Sequence, residues 1–502
     1  MIYIIIFHSK LYFTASEKRI RMKNLTNSVI LSLLSLIALS LTGCSSPGKS
    51  PEMAPSPNIV FILADDLGYA DLGSYGQTRI STPHLDRMAQ EGMRFTRFYA
   101  GSTVCAPSRS SLLTGQHTGH TPIRGNKEVR PEGQWPLGDT TMTLAELLKE
   151  AGYATGAFGK WGLGFVGSPG DPLNQGFDTF FGYNCQREAH NYYPDHLWRD
   201  TQRVEYANTP MRQTYYVGQD IQDEVLRFIG ENRQKPFFLY LAYTLPHAGL
   251  QPAPNDTIFE SYKKKFGEEA QEVPAEWDGK GYAPQAYPEA AYASMVSRLD
   301  QYVGQVLSQL KKLNLDKNTL VIFTSDNGPH REGGNDPERF NSNGPFRGIK
   351  RDLYEGGIRV PLIAWWPGRI PSGTVSKQPA AFWDFLPTFA DLAKVDVPDQ
   401  ADGISILPTL LGSEAEQEQR PYFYWEFHEG GGKQAVIVDK WKGIRLNAKK
   451  SPDGPLELYD LETDPGEIKD IAKDHPELVT KMAAIMKEAR MPNPDFPFFE
   501  NE

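Results

Sequence analysis

The stretch Asn58-Ile59-Val60-Phe61-Ile62-Leu63-Ala64-Asp65-Asp66 decides the fold of this 502-residue chain. Its first seven residues form a nearly continuous apolar run, which is typical of a parallel strand buried on both faces. Two aspartates follow the run directly. In open α/β sheets, functional groups gather beyond the carboxyl ends of the strands. The stretch therefore predicts a central strand with a functional site at its end.

Further strands and helices alternate along the chain after this first strand. Apolar strands are predicted at 236–243, ahead of Pro246-His247, and at 320–323, ahead of Ser325-Asp326-Asn327-Gly328. Helical patterns are predicted over 82–93, 108–114, 143–152, 220–232 and 288–313. This alternation predicts an α/β fold with a large, mainly parallel sheet flanked by helices.

The pattern changes after about residue 400. Short strands are predicted at 422–426, 435–439, 442–446 and 456–461, and a terminal helix at 476–490. They predict a small C-terminal antiparallel sheet with one helix packed on it. The predicted organisation is a targeting segment at 1–44, a tether at 45–57, a large domain at 58–400 and a small α+β subdomain at 401–502.

Composition and charge limit the partners of the chain. Hydrophobic residues make up 40% of the sequence, which supports a sizeable core. The formal net charge is −10, and it becomes −14 without residues 1–43, which carry +4. A nucleic-acid partner is therefore not expected, and an anionic substrate would need a local cluster of positive groups.

The amino-terminal segment has the features of an export signal. An apolar run over 29–41 follows basic residues and leads into Leu41-Thr42-Gly43-Cys44, which resembles a bacterial lipobox. We expect Cys44 to carry a lipid that anchors an exported protein in the bacterial cell envelope, in the periplasm or at the outer membrane. A transmembrane anchor and plain secretion with loss of Cys44 are the alternatives, although the run is short for a membrane span.

The most reactive motif is Cys105-Ala106-Pro107-Ser108-Arg109. Pro107 suits the first turn of a helix, so Cys105 should lie at a helix N-terminus, where unpaired N–H groups favour negative charge. Arg109 falls one turn later on the same face. The motif predicts an anion site with a nucleophile at its mouth. The remaining thiol, Cys185, is expected to be structural and buried, so no disulfide framework is predicted.

A metal site is the second candidate centre. Asp65 and Asp66 follow one predicted strand, and Asp326 and Asn327 follow another. These side chains offer only hard oxygen donors, which suit Ca²⁺ or Mg²⁺.

Taken in this order, the motifs resemble the sulfatase family, and within it the N-acetylgalactosamine-6-sulfatase-like branch. The resemblance runs from Asn58 to the Leu458-Tyr459-Asp460-Leu461 segment and implies an alkaline-phosphatase-like fold with catalysis in the large domain. It implies that a formylglycine-generating enzyme or anaerobic maturase converts Cys105 to formylglycine, whose hydrate attacks sulfur. It also implies that the four oxygen ligands bind Ca²⁺, with Mg²⁺ possible, together with the modified residue 105.

The same resemblance assigns roles to four further side chains. It implies that Arg109, Lys160 and Lys350 bind the sulfate and hold the nucleophile, and that His247 protonates the leaving oxygen. Lys350 stands beside Arg351, and the sequence leaves open which of the two points inward.

One position departs from the family pattern. Sulfatases commonly read Gly-Lys-Trp-His where this chain has Gly159-Lys160-Trp161-Gly162. That histidine helps to expel sulfate, so another residue must take its role or activity is reduced. His190 is the predicted replacement and His330 is the rival.

The expected substrate is a sulfated carbohydrate, with galactose or N-acetylgalactosamine 4- or 6-sulfate favoured. Four aromatic residues are candidates to stack on a sugar ring: Trp135, Tyr192, Tyr193 and Trp198. Two other functions stay open. One is a phosphonate or phosphodiester hydrolase of the same superfamily. The other is a non-catalytic lipoprotein that binds sulfated glycans, and Gly162 is the only residue that favours it.

Overall fold

The structure is a computed structural model that describes residues 56–274 and 276–499. The predicted targeting segment at 1–44 and nearly all of the predicted tether at 45–57 lie outside these residues. Within the described ranges, no helix has the length and apolar character that a bilayer crossing requires.

A large sheet, a small sheet and a separate two-stranded pair organise the strands. In chain order the strands are β1 (Asn58–Ala64), β2 (Met93–Phe95), β3 (Phe98–Tyr99), β4 (Ala154–Lys160), β5 (Thr179–Tyr183), β6 (His196–Arg199), β7 (Gln202–Glu205), β8 (Phe237–Ala242), β9 (Thr319–Ser325), β10 (Leu362–Trp365), β11 (Thr374–Ser376), β12 (Ala380–Ala381), β13 (Phe423–Phe427), β14 (Lys433–Val438), β15 (Trp441–Leu446) and β16 (Glu457–Asp460). The large sheet has ten strands in the order β11-β2-β10-β9-β1-β8-β4-β5-β6-β7.

The centre of the large sheet is parallel, as predicted. Strand β1 lies between β8 and β9 and is parallel to both, so that Phe61 pairs with Tyr240 on one side and Ile322 on the other. Strands β4 and β5 continue the parallel set beyond β8. Antiparallel pairing begins at β10 on one side and at β6 on the other. The carboxyl ends of five central strands therefore share one edge.

Helices cover both faces of the large sheet and one face of the small one. They are α1 (Pro83–Glu91), α2 (Cys105–Thr114), α3 (Leu144–Glu150), α4 (Gly218–Glu231), α5 (Thr257–Phe266), α6 (Pro288–Lys312), α7 (Pro337–Phe340), α8 (Glu355–Ile358), α9 (Phe385–Ala393), α10 (Leu407–Leu410) and α11 (Pro476–Glu488). The predicted helices are all present, with ends that coincide or are shifted by up to three residues. The helix expected from 108 begins at Cys105 itself, with Pro107 inside its first turn.

Successive side chains of β1 point to opposite faces of the sheet and so pack in two separate layers of the apolar core. Val60 and Ile62 belong to the cluster that contains α6, whereas Phe61 and Leu63 belong to the cluster that contains α2 and α9. Each of these side chains is fully buried, which stabilises the fold by about 1.5–3 kcal/mol per large apolar side chain. The strand is thereby held rigidly between the layers, and its polar end is fixed in place.

The small antiparallel sheet has the order β13-β14-β15-β16, and α11 packs on one of its faces through Met482 and Met486. The other face turns toward the large domain, where Trp425 packs in one cluster with Tyr99 and Val104. The Trp425 indole N–H also donates to the Ala100 carbonyl oxygen at 3.0 Å. The small sheet thus supports the segment that leads into Cys105.

The N-terminus of α3 provides a stability test. The Thr143 hydroxyl accepts the Glu146 N–H at 3.2 Å, and the Glu146 carboxylate accepts the Thr143 N–H at 2.7 Å, so the two residues form a capping box. We expect Thr143→Ala to lower the free energy of unfolding by about 1 kcal/mol, measured by chemical denaturation. Thr143→Ser keeps the hydroxyl and should stay near the wild type, so equal losses in both variants would contradict the capping role.

Candidate active site

Four neighbouring parallel strands deliver the site residues to one edge of the sheet. Asp65 and Asp66 follow β1, Asp326 follows β9, Lys160 ends β4, and His247 lies in the loop after β8. The strand order β9-β1-β8-β4 makes these ends adjacent. Residues far apart in the sequence therefore meet because of the sheet topology.

The predicted metal ligands form a compact, buried cluster. The Asp66 backbone N–H donates to Asp326 Oδ1 at 3.1 Å, and Asn327 Nδ2 donates to Asp66 Oδ1 at 2.7 Å. Asp66 has a φ of +63°, in the left-handed region, which turns the chain sharply at the end of β1. All four ligand side chains, including Asp65, are fully buried.

The donors of this cluster fit a hard divalent cation. Three carboxylates and one carboxamide are the oxygen ligands that Ca²⁺ and Mg²⁺ prefer. Asn327 Oδ1 is buried and has no hydrogen-bond partner among the described residues. Ligand atoms of Asp65, Asp66, Cys105 and His247 also lie within 4.8 Å of one another. An oxygen-rich pocket with an unused acceptor is suited to hold such an ion.

Cys105 opens α2 beside this cluster. Its Sγ lies 3.5 Å from Asp65 Oδ1, and the following N–H, that of Ala106, donates to Asn126 Oδ1 at 3.1 Å. Burial raises the pKa of the Cys105 thiol well above its ordinary value. An unmodified cysteine here is a neutral thiol, and a neutral thiol is a poor nucleophile.

Arg109 and Lys160 bring buried positive charge to the carboxylates. Arg109 donates to Asp326 Oδ2 at 2.8 Å and to the Lys160 carbonyl oxygen at 2.7 Å. Lys160 Nζ lies 2.7 Å from Asp65 Oδ2. Burial opposes the charge on Lys160, but the Asp65 carboxylate raises the pKa of Lys160 above its ordinary value. Both side chains are therefore fixed cations.

Lys350, rather than Arg351, points into the site. Its Nζ lies 2.7 Å from Asp66 Oδ2. The Arg351 side chain is about half exposed and pairs with Glu332 at the surface. Burial opposes the Lys350 charge, yet Asp66 keeps the pKa of Lys350 well above its ordinary value.

Three histidine rings line the site. His247 Nε2 lies 3.2 Å from Asp66 Oδ2 and 3.1 Å from Lys350 Nζ. The His190 ring stacks on His247 with centroids 4.2 Å apart and planes within 7°. Burial, with Lys350 beside it, lowers the pKa of His247 well below its ordinary value. His330 lies farther from His247, at 5.7 Å.

The two candidate replacement histidines differ in their hydrogen bonds. The His330 ring accepts the Glu332 N–H through Nδ1 at 3.1 Å, and its Nε2 faces the Pro246 carbonyl oxygen at 3.4 Å. Neither ring nitrogen of His190 makes a hydrogen bond to another described residue. The structure therefore leaves the His190 ring free for other partners, whereas local backbone holds His330.

One of the aromatic residues expected to stack on sugar does not reach the surface. Tyr192 is buried, whereas the largely buried Tyr193 lines a surface cavity together with Gln251 and Asp256. The Tyr192 hydroxyl donates to the carbonyl oxygens of Thr244 and His247 at 2.6 and 3.0 Å, so it supports the His247 loop. The expectation of a sugar platform is wrong for Tyr192, because an aromatic residue in a polar run gives no sign of its burial. Cys185 is buried and free, as expected.

Three residues near the site were not predicted. Asn126 holds the first turn of α2, Glu332 lies 3.8 Å from Lys350 Nζ, and the Tyr282 ring packs against His190 and His247. Glu332 stands two residues after His330, which was the available signal. Asn126 and Tyr282 lie in irregular segments whose pattern carries no such signal.

Fold and site together define the class of protein. Residues 57–395 match the family model described as Sulfatase, and residues 347–491 match the one described as N-sulphoglucosamine sulphohydrolase, C-terminal. The chain belongs to the sulfatase family and is a sulfuric ester hydrolase.

Curated relatives and a solved structure agree with this assignment. The dog (Canis lupus familiaris) N-acetylgalactosamine-6-sulfatase is 36% identical over 432 residues, covering 81% of this chain and 74% of the relative. The Bacteroides thetaiotaomicron N-acetylgalactosamine-6-O-sulfatase is 30% identical over 555 residues, covering 93% and 100%. The crystal structure of Ps i-CgsB in complex with k-i-k-neocarrahexaose aligns with a TM-score of 0.73 and 28% identity, covering 89% of this chain and 96% of that one. The predicted family and branch are confirmed.

The oxygen cluster predicts that a divalent cation stabilises the protein. We expect Ca²⁺ added to chelator-treated protein to raise the Tm by a few degrees, because binding to the folded state alone shifts the unfolding equilibrium. Asp65→Asn and Asn327→Ala should lose this shift. Asp300→Asn is the matched control, since Asp300 is a buried carboxylate that accepts the His84 and Leu85 N–H groups away from the site. A wild-type Tm that neither Ca²⁺ nor Mg²⁺ changes would contradict the metal site.

Proposed function

We propose that this sulfatase removes sulfate from a sulfated carbohydrate, with a formylglycine at position 105 and a divalent cation as its catalytic groups. Ca²⁺ is the expected ion and Mg²⁺ the alternative. The observation that carries the proposal is the position of Cys105, which lies between a buried oxygen cluster and the buried cations Arg109, Lys160 and Lys350. Such a site suits a substrate group that carries negative charge on several oxygens.

The names of the relatives guide the choice of sugar. Both curated relatives are called N-acetylgalactosamine-6-sulfatases, and the solved structure contains a neocarrahexaose. We infer that the substrate is a galactose or N-acetylgalactosamine unit sulfated at the 4- or 6-position. The choice of a sulfate ester rather than a phosphonate rests on the same names.

Each side chain has a task that its surroundings support. When residue 105 carries the aldehyde, its hydrate supplies the hydroxyl that attacks sulfur. The cation bound by the oxygen cluster would offset charge on the sulfuryl oxygens. Lys160 and Lys350 are held as ammonium groups, so they stabilise the negative charge that develops in the transition state. Arg109 holds Asp326 and the Lys160 backbone in place.

His247 is proposed to pass a proton from the Lys350 ammonium group, which lies 3.1 Å from its Nε2, to the departing sugar oxygen, since the low pKa of His247 leaves the resting ring neutral. Its Nδ1 contacts the Ala248 carbonyl oxygen, and its Nε2 faces the site near Lys350. An imidazole bound at one nitrogen presents the other in a fixed direction, which suits proton transfer at a defined atom. His190, stacked on this ring, is proposed to take over the role of the histidine that is missing at Gly162.

Export and anchoring complete the proposal. The sequence Leu41-Thr42-Gly43-Cys44 supports a lipid anchor on Cys44, and the envelope location would give the enzyme access to external polysaccharide. A formylglycine-generating enzyme or an anaerobic maturase is the partner that would modify Cys105.

The modification can be tested directly. After co-expression with a maturase, we expect the tryptic peptide of residues 98–109 to show the mass change for replacement of CH₂SH by CHO. Release of sulfate from N-acetylgalactosamine 6-sulfate should fall roughly 1,000-fold or more in Cys105→Ala, because the nucleophile is lost. Cys185→Ala is the control and should keep its activity. Full activity with an unmodified Cys105 would overturn the mechanism.

The role of His190 makes a separate prediction. We expect His190→Ala to lower kcat by about 100-fold, since a positioned acid or base contributes this much. His330→Ala should affect Tm more than kcat, because His330 bonds to local backbone. A wild-type kcat in His190→Ala would exclude His190 as the replacement.

A further inference from the structure

The volume beside Gly162 is filled by the side chain of Gln186. A β-carbon built on Gly162 would lie 3.1 Å from both Cγ and Nε2 of Gln186. Gly162 also has a φ of +78°, in the left-handed region that favours glycine. The two residues therefore form a matched pair, because the glycine leaves free the space that the glutamine occupies.

The Gln186 carboxamide carries an unused donor. Its side chain is 5% exposed, and Nε2 is buried without a hydrogen-bond partner among the described residues. The backbone N–H of Gln186 donates to Gln134 Oε1 at 3.3 Å, which holds the residue at its base. An unmet buried donor is unfavourable, so a ligand that supplies the missing acceptor would account for the one here.

Gly162 and Gln186 lie in the two segments that follow the neighbouring strands β4 and β5. Gly162 is two residues beyond Lys160, whose ammonium group contacts Asp65. His190 is four residues beyond Gln186 and stacks on His247. The Gly162 N–H donates to the Asn184 carbonyl oxygen at 3.1 Å, and this bond connects the two segments next to the Gln186 carboxamide.

We infer that Gln186 is a further substrate-binding residue whose Nε2 donates a hydrogen bond to an oxygen of the sulfate group held beside Lys160. This inference rests on the proposed function. A carboxamide does not take up a proton in the working pH range, so Gln186 binds sulfate without acting as a base. The missing histidine is then replaced by two residues: Gln186 holds the sulfate, and His190 is left to move the proton.

Gln186→Leu tests the inference, since leucine keeps an apolar side chain in the space but has no donor. We expect kcat/KM for the sulfated sugar to fall about 10- to 100-fold, which is the range for a lost hydrogen bond to a charged group. The inhibition constant of inorganic sulfate should rise by a similar factor. The Tm should stay equal or increase, because the substitution removes an unpartnered polar group.

Gln175→Leu is the matched control. Gln175 is also buried, but its Nε2 donates to the carbonyl oxygens of Pro169 and Gly138 at 3.0 and 3.3 Å. We expect this variant to lose Tm and to keep the wild-type inhibition constant for sulfate. Gln186→Leu should therefore lose sulfate affinity and keep its Tm, whereas Gln175→Leu should lose Tm and keep its sulfate affinity.

The outcomes separate this inference from the proposed function. If the wild type releases no sulfate from any sulfated sugar, the proposed function fails, and the Tm shift caused by inorganic sulfate still compares wild type with Gln186→Leu. An equal shift in both proteins would overturn the inference. So would a Gln186→Leu variant that weakens only the sugar substrate, or one that loses Tm and activity together while its sulfate affinity is unchanged.

A double-mutant cycle tests the matched pair. Gly162→His places a side chain against Gln186, so it should lower Tm and sulfate affinity. The same change in a Gln186→Gly background should cost less, because the space is free. Strictly additive effects would show that the two residues do not share this volume and would overturn the pairing.

Discussion

The carboxylates of Asp65, Asp66 and Asp326 lie together without contact with water, and this crowding of like charges is the constraint that the rest of the site must satisfy. Burial, followed by repulsion from Asp65, raises the pKa of Asp326 to about 7. Removing a partner from such a buried set leaves an uncompensated charge, which costs several kcal/mol. Each cation that approaches the cluster is therefore held firmly, in a position that follows from the carboxylates.

The fold keeps this charge cluster rigid from two sides. The apolar layers on both faces of the sheet fix the strands that end in it. Behind the segment that leads to Cys105, a second buried ion network joins the small sheet to α8, because Lys442 on β15 lies 2.9 Å from both Glu355 of α8 and Glu467. Tyr99, just upstream of the cysteine, donates to the same Glu355 at 3.0 Å. The small sheet thus acts as a support for the nucleophile segment.

Local sequence was sufficient to predict a strand or helix wherever the residues that specify it lie within that element. The run from Asn58, the capping box at Thr143 and the proline in the first turn of α2 each specify their own conformation, so the strand and helices they predict are present. The meeting of the four proposed metal ligands at one edge of the sheet was also predictable, because two apolar strands each end in acidic or amide residues. Parallel pairing then brings those ends together without further information.

Local sequence does not predict which side chains of different strands, helices and loops contact each other. Tyr192 is polar at its tip, and nothing in its neighbours shows that its hydroxyl meets the His247 loop. Gly162 was recognised as a departure, but the side chain that fills its space belongs to the segment after the next strand of the sheet. The choice between Lys350 and Arg351 likewise depends on a turn at which Arg351 has a φ of +76°. Only the folded chain determines these three outcomes.

Burial gives a physical reason for the proposed chemical conversion of the cysteine in this site. The pocket that buries the three carboxylates also raises the pKa of the Cys105 thiol, so the thiolate that a cysteine nucleophile requires is suppressed. A hydroxyl nucleophile is neutral in its resting state and is not excluded by the low dielectric in this way. The same burial that makes the acidic cluster suitable for a cation therefore makes unmodified cysteine unsuitable. The proposed metal site and the proposed modification would then follow from one physical cause.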